Sequence, residues 1–421
     1  GLEILARTSK YPLSLPSICR HVDNDTTKAS LVLSYVNRDV KEKAPIVFPP
    51  TEAVRRYQAH SHLFDPSAKP GLQAYMAPIV HEAYAPDNCL GTDIQAVEGR
   101  LSKVRPPELP LTQDMSNHIE EFLDLFCRGY ERKLHPVDDS VVYERQARPA
   151  QRVLLHRAQN LDAKGSNALV KSFVKKEAYG KITDPRIIST VDTPIKRDYS
   201  RYMYALEVVF KAAPWYAFGR QPSDIAARVA KVAAESTTLC NTDFSRFDGH
   251  GSNVMRELEQ CLLHRVFAAE HHVEIFALHR QQYGLRAVTY HGVWYETGYS
   301  RLSGSPETSL FNSLVNAFIA YSALRRTKVA GVPMLPAEAY DKLGIYGGDD
   351  GLTPDVDTQE YKLAAERFGQ ELAIEPLTRG ELGVKFLARM YGPYVWWGDD
   401  NSCCDIKRQA SKIHTTVVMP P

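Results

Sequence analysis

The stretch Ile345-Tyr346-Gly347-Gly348-Asp349-Asp350-Gly351-Leu352 places two adjacent carboxylates between glycines, directly after an apolar run. Because glycine permits positive φ, the stretch predicts a tight hairpin with the two acids at its tip. Adjacent acids repel each other and resist burial unless a cation binds them. The same residues also suit an ordinary solvated hairpin tip, so the stretch alone leaves both interpretations open.

The composition of the 421-residue chain, with 44% hydrophobic and 24% charged residues, is typical of a folded globular protein. Lysine plus arginine total 51 against 50 for aspartate plus glutamate, so a nucleic-acid partner would have to be bound by local basic patches. The seven cysteines form no Cys-x-x-Cys pair, which indicates free thiols and argues against a zinc finger or a disulfide framework.

No apolar run is long enough to span a bilayer, and no signal peptide or lipidation motif is visible. The chain opens without methionine and ends on two prolines, so we expect it to be a piece of a larger polypeptide. Residues 1–77 are irregular and rich in proline, with one β-like run at 31–36, and we interpret them as a connecting arm. Further on, Thr112 is placed to cap a helix with regularly spaced apolar residues.

Basic residues concentrate between residues 164 and 201. Within this segment Lys175, Lys176 and Arg186 alternate with β-forming residues around a glycine turn, as in a strand-loop-strand unit that follows a phosphate path. On composition alone, a solvated charged hairpin is the slightly favoured interpretation.

A β-run ends on Asp243, and Asp248 follows just before a helix predicted from residue 253 to about residue 283. Either acid, taken alone, would most simply cap a helix. The long helix contains His271 and His272, which are adjacent, face different directions and therefore make a poor metal pair.

The next polar segment is a Ser-Gly-Ser loop followed by Pro306, which predicts a helix N-terminus whose amides suit a phosphate or sugar oxygen. Thr308 and Asn312 are four residues apart and therefore share one face of that helix. Asn316, four residues further on, continues this polar row. A polar row on an otherwise apolar helix requires polar partners.

These acids can be combined into one site. Nucleotidyl transfer uses carboxylates that hold two magnesium ions ~3.5–4 Å apart. A strand-end acid, Asp243, beside a hairpin-tip acid, Asp349, meets that requirement, with Asp350 adjoining and Asp248 close by.

Five sequence patterns follow one another in the chain: a Lys-Lys-Glu and Arg segment, Asp-x4-Asp, Ser-Gly-x3-Thr-x3-Asn, Gly-Asp-Asp and Phe-Leu-Ala-Arg. In this order they resemble motifs F, A, B, C and E of the RNA-dependent RNA polymerases of positive-strand RNA viruses. The chain is most similar to the nodavirus replicases, within a nodavirus and tombusvirus-like group. The motifs extend from about Lys171 to Arg389, roughly half of the chain. Each motif is modest alone, whereas the ordered set is specific.

The resemblance implies an α+β fold, a right-hand polymerase whose palm is an antiparallel sheet backed by helices. It implies an upstream arm at 1–77, mainly fingers with motif F at 78–235, a palm with a finger insertion at 236–392, and a lead-in to the thumb at 393–421. The tail after Arg389 is too short for a helical thumb, and residues 412–416 resemble the lead-in to one, so we expect the thumb to be absent or truncated. The RNA-capping and membrane-attachment segments of such replicases are expected outside this chain.

The resemblance also implies roles for individual residues. Metal binding and catalysis are expected of Asp243, Asp349 and Asp350. Ribose and nucleotide binding is expected of Asp248, Ser303, Gly304, Thr308 and Asn312. Triphosphate binding is expected of Lys175, Lys176 and Arg186. Structural support is expected of Glu177, Gly348 and Arg389. A motif D general acid is not evident, and the candidates are Arg379 and Lys385.

The implied function is template-directed addition of ribonucleoside triphosphates to an RNA 3′-OH with release of pyrophosphate, for viral genome replication and transcription. The implied cofactor is Mg²⁺, for which Mn²⁺ can substitute. The implied partners are an RNA template and nascent strand, NTPs, and further copies of the chain in a replication complex. That complex is expected in the host cytoplasm at a membrane, to which segments outside this chain would attach it.

Two alternatives remain. A reverse transcriptase shares the two-metal palm, but the pairing of Asp248 with Asn312 favours ribonucleotides. A catalytically silent palm could serve as an RNA-binding or assembly module. The intact carboxylates Asp243, Asp349 and Asp350 argue against it, since a retired site has no reason to keep an adjacent acid pair.

Overall fold

The computed structural model describes residues 14–20, 22–36, 54–57, 83–146, 148–158, 168–175, 177, 179, 182–406 and 409–410. The chain divides into two compact units, Gly1–Pro50 and Thr51–Pro421. The described helices of the first unit are α1 (Leu15–Cys19) and α2 (Thr26–Val36), which pack on each other. None of the described helices combines the length and apolar character that a bilayer span requires.

Helix α2 corrects one expectation, because the β-like run at 31–36 is helical. The Asp25 carboxylate accepts hydrogen bonds from the backbone N–H groups of Thr27 (2.9 Å) and Lys28 (3.0 Å). These bonds satisfy two of the free donors of the first helical turn, which stabilises a helix through residues of high β-propensity.

The second unit begins with two parallel strands, followed by helices and the first strands of a mixed sheet. In chain order its elements are β1 (Val54–Tyr57), β2 (Ala83–Pro86), α3 (Leu90–Val97), a π-helical turn (Glu98–Ser102), α4 (Gln113–Phe126), α5 (Asp139–Glu144), α6 (Pro149–Arg157), β3 (Val170–Val174), β4 (Ile187–Thr190), α7 (Thr193–Ala212) and α8 (Pro222–Ala234).

The remaining elements alternate between strands and helices. They are β5 (Thr238–Phe244), α9 (Asn253–Val266), a 3₁₀ turn (Ala269–His271), α10 (His272–Arg280), β6 (Arg286–Thr289), β7 (Trp294–Glu296), α11 (Thr308–Arg326), β8 (Lys328–Val329), β9 (Val332–Pro333), α12 (Pro336–Asp341), β10 (Ile345–Gly347), β11 (Asp350–Pro354), α13 (Thr358–Arg367), β12 (Leu372–Thr378), β13 (Val384–Phe386), β14 (Arg389–Tyr391), a 3₁₀ turn (Pro393–Trp397) and β15 (Ser402–Cys404).

Helix α4 starts where the sequence predicts. The Thr112 hydroxyl accepts a hydrogen bond from the backbone N–H of Met115 at 3.3 Å, and the regularly spaced apolar side chains of the helix are buried. These side chains pack against α9, α11 and α12, so α4 is part of the scaffold.

The long helix predicted from residue 253 to about residue 283 is broken into α9 and α10. At the break Phe267 is fully buried and adopts an extended backbone. The backbone N–H of Leu134 donates to the Val266 carbonyl (3.0 Å), and the N–H of Ala268 donates to the Leu134 carbonyl (3.0 Å). The pairing with a distant segment therefore replaces helical hydrogen bonds that sequence periodicity alone would continue.

A four-stranded antiparallel sheet with the order β10-β11-β5-β12 forms the predicted palm sheet. Its register pairs Gly351 with Thr242, and Asp243 with Ala373. Helix α11 is buried along almost its whole length and packs against β10, β11 and α13. A second apolar cluster of α8, β10, β13 and the turn around Trp396 also packs on the sheet. The α+β architecture and the helix-backed antiparallel sheet are thereby confirmed.

A second four-stranded sheet and a three-stranded sheet accompany this one. The sheet β4-β3-β6-β7 contains the predicted strand-loop-strand unit of the basic segment as β3 and β4, with β3 and β6 parallel and the other neighbours antiparallel. The sheet β13-β14-β15 has a tight turn at Leu387 and Ala388, whose φ values are 44° and 60°. Residues 412–416, which resemble the lead-in to a thumb, lie outside the described residues.

Candidate active site

The hairpin between β10 and β11 carries the two adjacent acids at its tip. Gly347 pairs with Asp350, and Gly348 adopts φ +68°, a conformation that favours glycine. Position 351 leaves no room for a side chain, because a Cβ there would lie 2.6 Å from Thr242 Oγ1 and 2.9 Å from Tyr346 Cδ1. The hairpin is thus both a left-handed turn and a close contact with the neighbouring strand.

Helix α11 fixes the backbone of this turn through two side chains. The Ser313 hydroxyl accepts a hydrogen bond from the backbone N–H of Gly348 at 2.8 Å. The Asn316 amide donates to the carbonyls of Gly348 (3.1 Å) and Asp350 (3.2 Å). Asn316 therefore contacts the acid-bearing turn itself. Ser313 was not singled out from the sequence, because a serine on a buried helix gives no signal of a long-range partner.

The sheet register brings the three predicted metal-binding acids to one edge. Asp243 lies near the end of β5. Because Gly351 pairs with Thr242 in antiparallel register, the next residues, Asp350 and Asp243, lie beside each other. Asp349 is exposed at the hairpin tip. Partial desolvation and the charge of Asp349 raise the pKa of the Asp243 carboxyl above its ordinary value. Two carboxylates from distant parts of the chain therefore interact at the same place.

The chemistry of this donor set fits a divalent cation, because all of its side-chain donors are carboxylate oxygens. Among the residues that the structure describes, two groups of three His or acidic side chains bring their ligand atoms within 4.8 Å of one another, and neither contains Asp243, Asp349 or Asp350. The ligand atoms of Asp243, Asp349 and Asp350 therefore do not all lie within 4.8 Å of one another.

Beside the acids, Asn312 connects Asp248 to a buried arginine. The Asn312 amide nitrogen donates to Asp248 Oδ1 at 2.9 Å, and Arg301 Nε donates to Asn312 Oδ1 at 3.0 Å. The Arg301 backbone N–H also donates to the Asp248 carbonyl at 2.8 Å. Burial raises the pKa of Asp248, the bond from Asn312 and the charge of Arg301 oppose that rise, and the charge of Asp349 adds to it. Arg301 thus orients the amide that reaches Asp248.

Arg301 belongs to a buried ionic network that sequence reasoning missed. Its guanidinium donates to Glu307 (2.6 Å) and Glu259 (2.5 Å), and Arg256 donates to the same two carboxylates at 2.7 and 2.9 Å. The Tyr199 hydroxyl donates to Glu307 at 2.6 Å, and His279 Nε2 lies 2.8 Å from Glu259. Burial alone would raise the pKa of Glu259, but the two guanidiniums hold it well below its ordinary value.

The other predicted ribose-binding residues lie in and next to the loop that precedes α11, and hydrogen bonds connect this loop to β4. The Ser303 hydroxyl donates to the Ile187 carbonyl (3.2 Å), and the Gly304 N–H donates to the Ser189 carbonyl (2.9 Å). The Thr308 hydroxyl bonds to carbonyls within its own loop at 3.0 Å. The structure therefore gives Ser303 and Thr308 partners within the protein and brings the loop next to the segment that carries Arg186.

In the basic segment, Glu177 pairs with Lys175 and Arg186, the two described cations of the predicted triphosphate site. Lys175 Nζ lies 2.8 Å from Glu177 and Arg186 Nη1 lies 3.7 Å from it, while the Tyr179 hydroxyl donates to the same carboxylate at 3.0 Å. The charge of Arg186 reaches the site, because it opposes the raised pKa of Asp248. Lys176 lies outside the described residues.

The Phe386–Arg389 turn lies against the acid-bearing hairpin. A Cβ on Gly347 would lie 3.3 Å from the methyl groups of Leu387, and Arg389 Nη1 donates to the Ser402 hydroxyl at 3.0 Å. Of the motif D candidates, Arg379 donates to the carbonyls of Ala234, Ser236 and Trp396. These bonds give Arg379 a structural position rather than a place among the acids.

We expect Gly351→Ala to lower the free energy of unfolding by ~1–3 kcal/mol, because the added methyl would overlap Thr242 and Tyr346. Urea denaturation measures the change. Gly392→Ala is the matched control: a Cβ there meets nothing within 4 Å and the backbone φ is −67°, so its stability should stay the same or rise slightly. Equal stability of Gly351→Ala and the wild type would contradict the close packing described above.

The fold and the site together define the class of protein. An antiparallel helix-backed sheet that carries Asp243 and the Asp349-Asp350 hairpin at one edge is the palm of a right-hand polymerase. The fold is similar to that of the insertion loop deletion mutant of the RNA-dependent RNA polymerase of a human picobirnavirus, with a TM-score of 0.60 and 14% identity over 95% of this chain and 76% of that one.

Sequence comparisons lead to the particular family. Residues 167–373 match the family described as viral RNA-dependent RNA polymerase. The chain is 32% identical to the RNA-directed RNA polymerase of striped jack nervous necrosis virus over 88% of this chain and 38% of that protein. It is 28% identical to that of Flock house virus over 70% of this chain and 30% of that protein. The chain belongs to the viral RNA-dependent RNA polymerases, and the relatives named here are RNA-directed RNA polymerases of nodaviruses.

The greasy grouper nervous necrosis virus polymerase is 30% identical over 96% of this chain, yet only 41% of that protein is covered. The chain therefore spans about two fifths of the length of the striped jack and greasy grouper virus polymerases.

Proposed function

We propose that the protein is an RNA-directed RNA polymerase that adds ribonucleoside monophosphates to an RNA 3′-OH on an RNA template and releases pyrophosphate, for viral genome replication and transcription. The observation that carries the proposal is the joining of Asp243 and Asp349 at one sheet edge, beside the Asp248–Asn312 pair. The family and the fold support it.

In this proposal Asp243 and Asp349 hold Mg²⁺, with Asp350 as a supporting ligand, and Mn²⁺ can replace it. When bound, the ions activate the attacking 3′-oxygen and stabilise the charge on the departing pyrophosphate. The protein contributes the placement of these carboxylates, which the sheet register and the bonds from Ser313 and Asn316 fix before any substrate binds.

Lys175 and Arg186 bind the incoming triphosphate, and Glu177 holds both side chains toward the same space. Lys176 is proposed for the same role from the resemblance. Asp248 accepts the ribose 2′-OH, which distinguishes RNA precursors from DNA precursors. Asn312 fixes the orientation of that carboxylate, while Ser303, Gly304 and Thr308 shape the loop beside it.

The proposal extends to partners. An RNA template, the nascent strand and NTPs follow from the activity. Self-association in a replication complex, and a location at membranes of the host cytoplasm through segments outside this chain, rest on family resemblance alone. Light scattering at increasing protein concentration tests self-association, and a constant monomer mass would exclude it. Fractionation of infected cells tests the membrane location, and recovery of the protein away from membranes would exclude that location.

Primer extension tests the activity directly. The full-length polypeptide that contains this chain is incubated with a primed RNA template, Mg²⁺ and labelled NTPs, and we expect template-dependent RNA product. Preference for dNTPs would instead indicate a reverse transcriptase. RNA binding without incorporation would indicate an assembly module.

We expect Asn312→Ala to reduce the preference for rNTPs over dNTPs by about 5- to 150-fold, the equivalent of one buried hydrogen bond of ~1–3 kcal/mol. The measurement is kcat/KM for the two nucleotide classes. Asn316→Ala is the comparison variant on the same helix. Because Asn316 contacts the turn and not Asp248, it should slow incorporation of both classes equally. Unchanged discrimination in Asn312→Ala would remove this residue from sugar selection.

A further inference from the structure

A cluster of two histidines and one glutamate lies on the surface, outside the site described above. His135 follows the segment that pairs with Phe267, and Glu270 and His271 lie in the 3₁₀ turn between α9 and α10. His135 Nδ1 lies 3.0 Å from His271 Nε2, and each of these nitrogens lies 3.4 Å from Glu270 Oε1. Three potential ligand atoms therefore form a nearly equilateral triangle.

We propose that His135, Glu270 and His271 form a zinc-binding site. A tetrahedral zinc ion with bonds of about 2.0–2.1 Å has ligand-to-ligand edges of about 3.3–3.4 Å. The triangle formed by these three atoms matches one face of that tetrahedron. Water supplies the fourth ligand, because Glu270 and His135 are exposed and leave the other side of the triangle open.

A bound cation would interact with the two ring nitrogens and the carboxylate oxygen of this cluster more favourably than hydrogen bonds among them can. Only one proton can lie between the two ring nitrogens, and 3.4 Å is longer than the ~2.7–2.9 Å of a charge-assisted bond to a carboxylate. In the tautomers that leave both nitrogens unprotonated, three lone pairs face a common space. A cation in that space is bound by all three.

The backbone holds the two ligand-bearing segments in place before any metal binds. Leu134 pairs with Phe267, with bonds of 3.0 Å on both sides of the bridge, and the His271 N–H donates to the Ala268 carbonyl at 3.0 Å. The His271 ring also packs against the buried Tyr202 ring at an interplanar angle of 73°. The sequence argued against a His271–His272 pair, and the ligand partner of His271 instead comes from a residue 136 positions away. Zinc would cross-link these two segments.

The donor set selects zinc over the ions that serve polymerisation. Imidazole nitrogens with one carboxylate suit Zn²⁺, whereas Mg²⁺ prefers oxygen ligands and retains water. The other convergent group, Glu259, His279 and Glu307, contrasts with this one. There the guanidiniums of Arg256 and Arg301 already neutralise the carboxylates, so a cation has no role.

The test is titration of the untagged chain with ZnCl₂ in buffer that contains Mg²⁺, followed by calorimetry. We expect one tight zinc site per chain and a higher unfolding temperature with zinc than without it. Loss of an outer hydrogen bond already weakens metal sites by about 10- to 100-fold, so His135→Ala and His271→Ala should each weaken binding by at least ~100-fold. Co²⁺ substitution should give the visible absorption of a tetrahedral site.

Two controls separate this site from other zinc ligands. His264→Ala removes a surface imidazole near His272 and should retain the tight site. Cys403→Ser with Cys404→Ser removes the two exposed thiols and should also retain it. Absence of a tight site in the wild type, retention of that site in His135→Ala, or its loss in the cysteine variant would overturn the proposal. Circular dichroism checks that each variant is folded.

Discussion

Replacement of Asp349 by alanine is expected to reduce ribonucleotide incorporation at least ~1000-fold, equivalent to ~4 kcal/mol or more of transition-state stabilisation. Asp349 is at the tip of the hairpin, and its charge acts on Asp243 from the neighbouring part of the sheet. Loss of this carboxylate removes one of the two principal ligands of the proposed ions. Loss of Asp350 leaves both principal ligands, Asp243 and Asp349, in place and should therefore reduce the rate of incorporation less.

The same change should leave stability intact. Asp349 is exposed, and its removal relieves repulsion with Asp243. Asp341→Ala is the matched control, because it deletes an exposed acid at the end of α12, the helix that precedes the same strand. Primer extension with single-turnover kinetics, beside urea denaturation, measures both properties. Incorporation by Asp349→Ala at more than a tenth of the wild-type rate would refute the two-carboxylate site.

Replacement of Arg301 by glutamine is expected to lower the free energy of unfolding by ~3–5 kcal/mol, because it leaves buried carboxylates without one of their cations. Arg301, Glu259 and Glu307 are almost completely inaccessible, at 3%, 0% and 0% exposure. Two solvent-inaccessible carboxylates carry two negative charges, so the single positive charge of Arg256 cannot neutralise both of them.

The control for this prediction is Arg265→Gln. Arg265 also pairs with two acids, Glu120 and Asp124, but those acids are exposed at the surface. Exposed ion pairs contribute ~0–1 kcal/mol, so this variant should unfold near the wild-type denaturant midpoint. Arg301→Lys should recover only part of the loss, because an ammonium does not reproduce the planar fork that bonds Asn312 and both acids. If Arg301→Gln and Arg265→Gln were equally stable, the buried network would not stabilise the fold.

Local pattern was sufficient for several elements. The glycine-flanked acid pair predicts the hairpin, because glycine readily adopts the positive φ that the turn requires at Gly348. The β-run that ends on Asp243 and the capped helix at Thr112 follow from periodicity and capping chemistry, which act over a few residues.

Two errors show where such patterns fail. The run at 31–36 is helical because Asp25 caps the helix that contains it. The break at Phe267 arises from a backbone partner, Leu134, that lies far away in sequence. In the first case a neighbouring cap outweighed strand propensity, and in the second a long-range pairing outweighed helical periodicity.

The sequence by itself determined the order of the motifs, the chemical types at the site and the turn that presents Asp349, since these depend on residue identity and local conformation. Only the tertiary structure decided that Ser313 and Asn316 hold that turn, that Arg301 orients Asn312, and that His135 meets His271. Each of these contacts joins residues from different segments, and their geometry depends on sheet register and helix packing. A one-residue shift in register would move Asp243 to the other face of the sheet and separate it from Asp349.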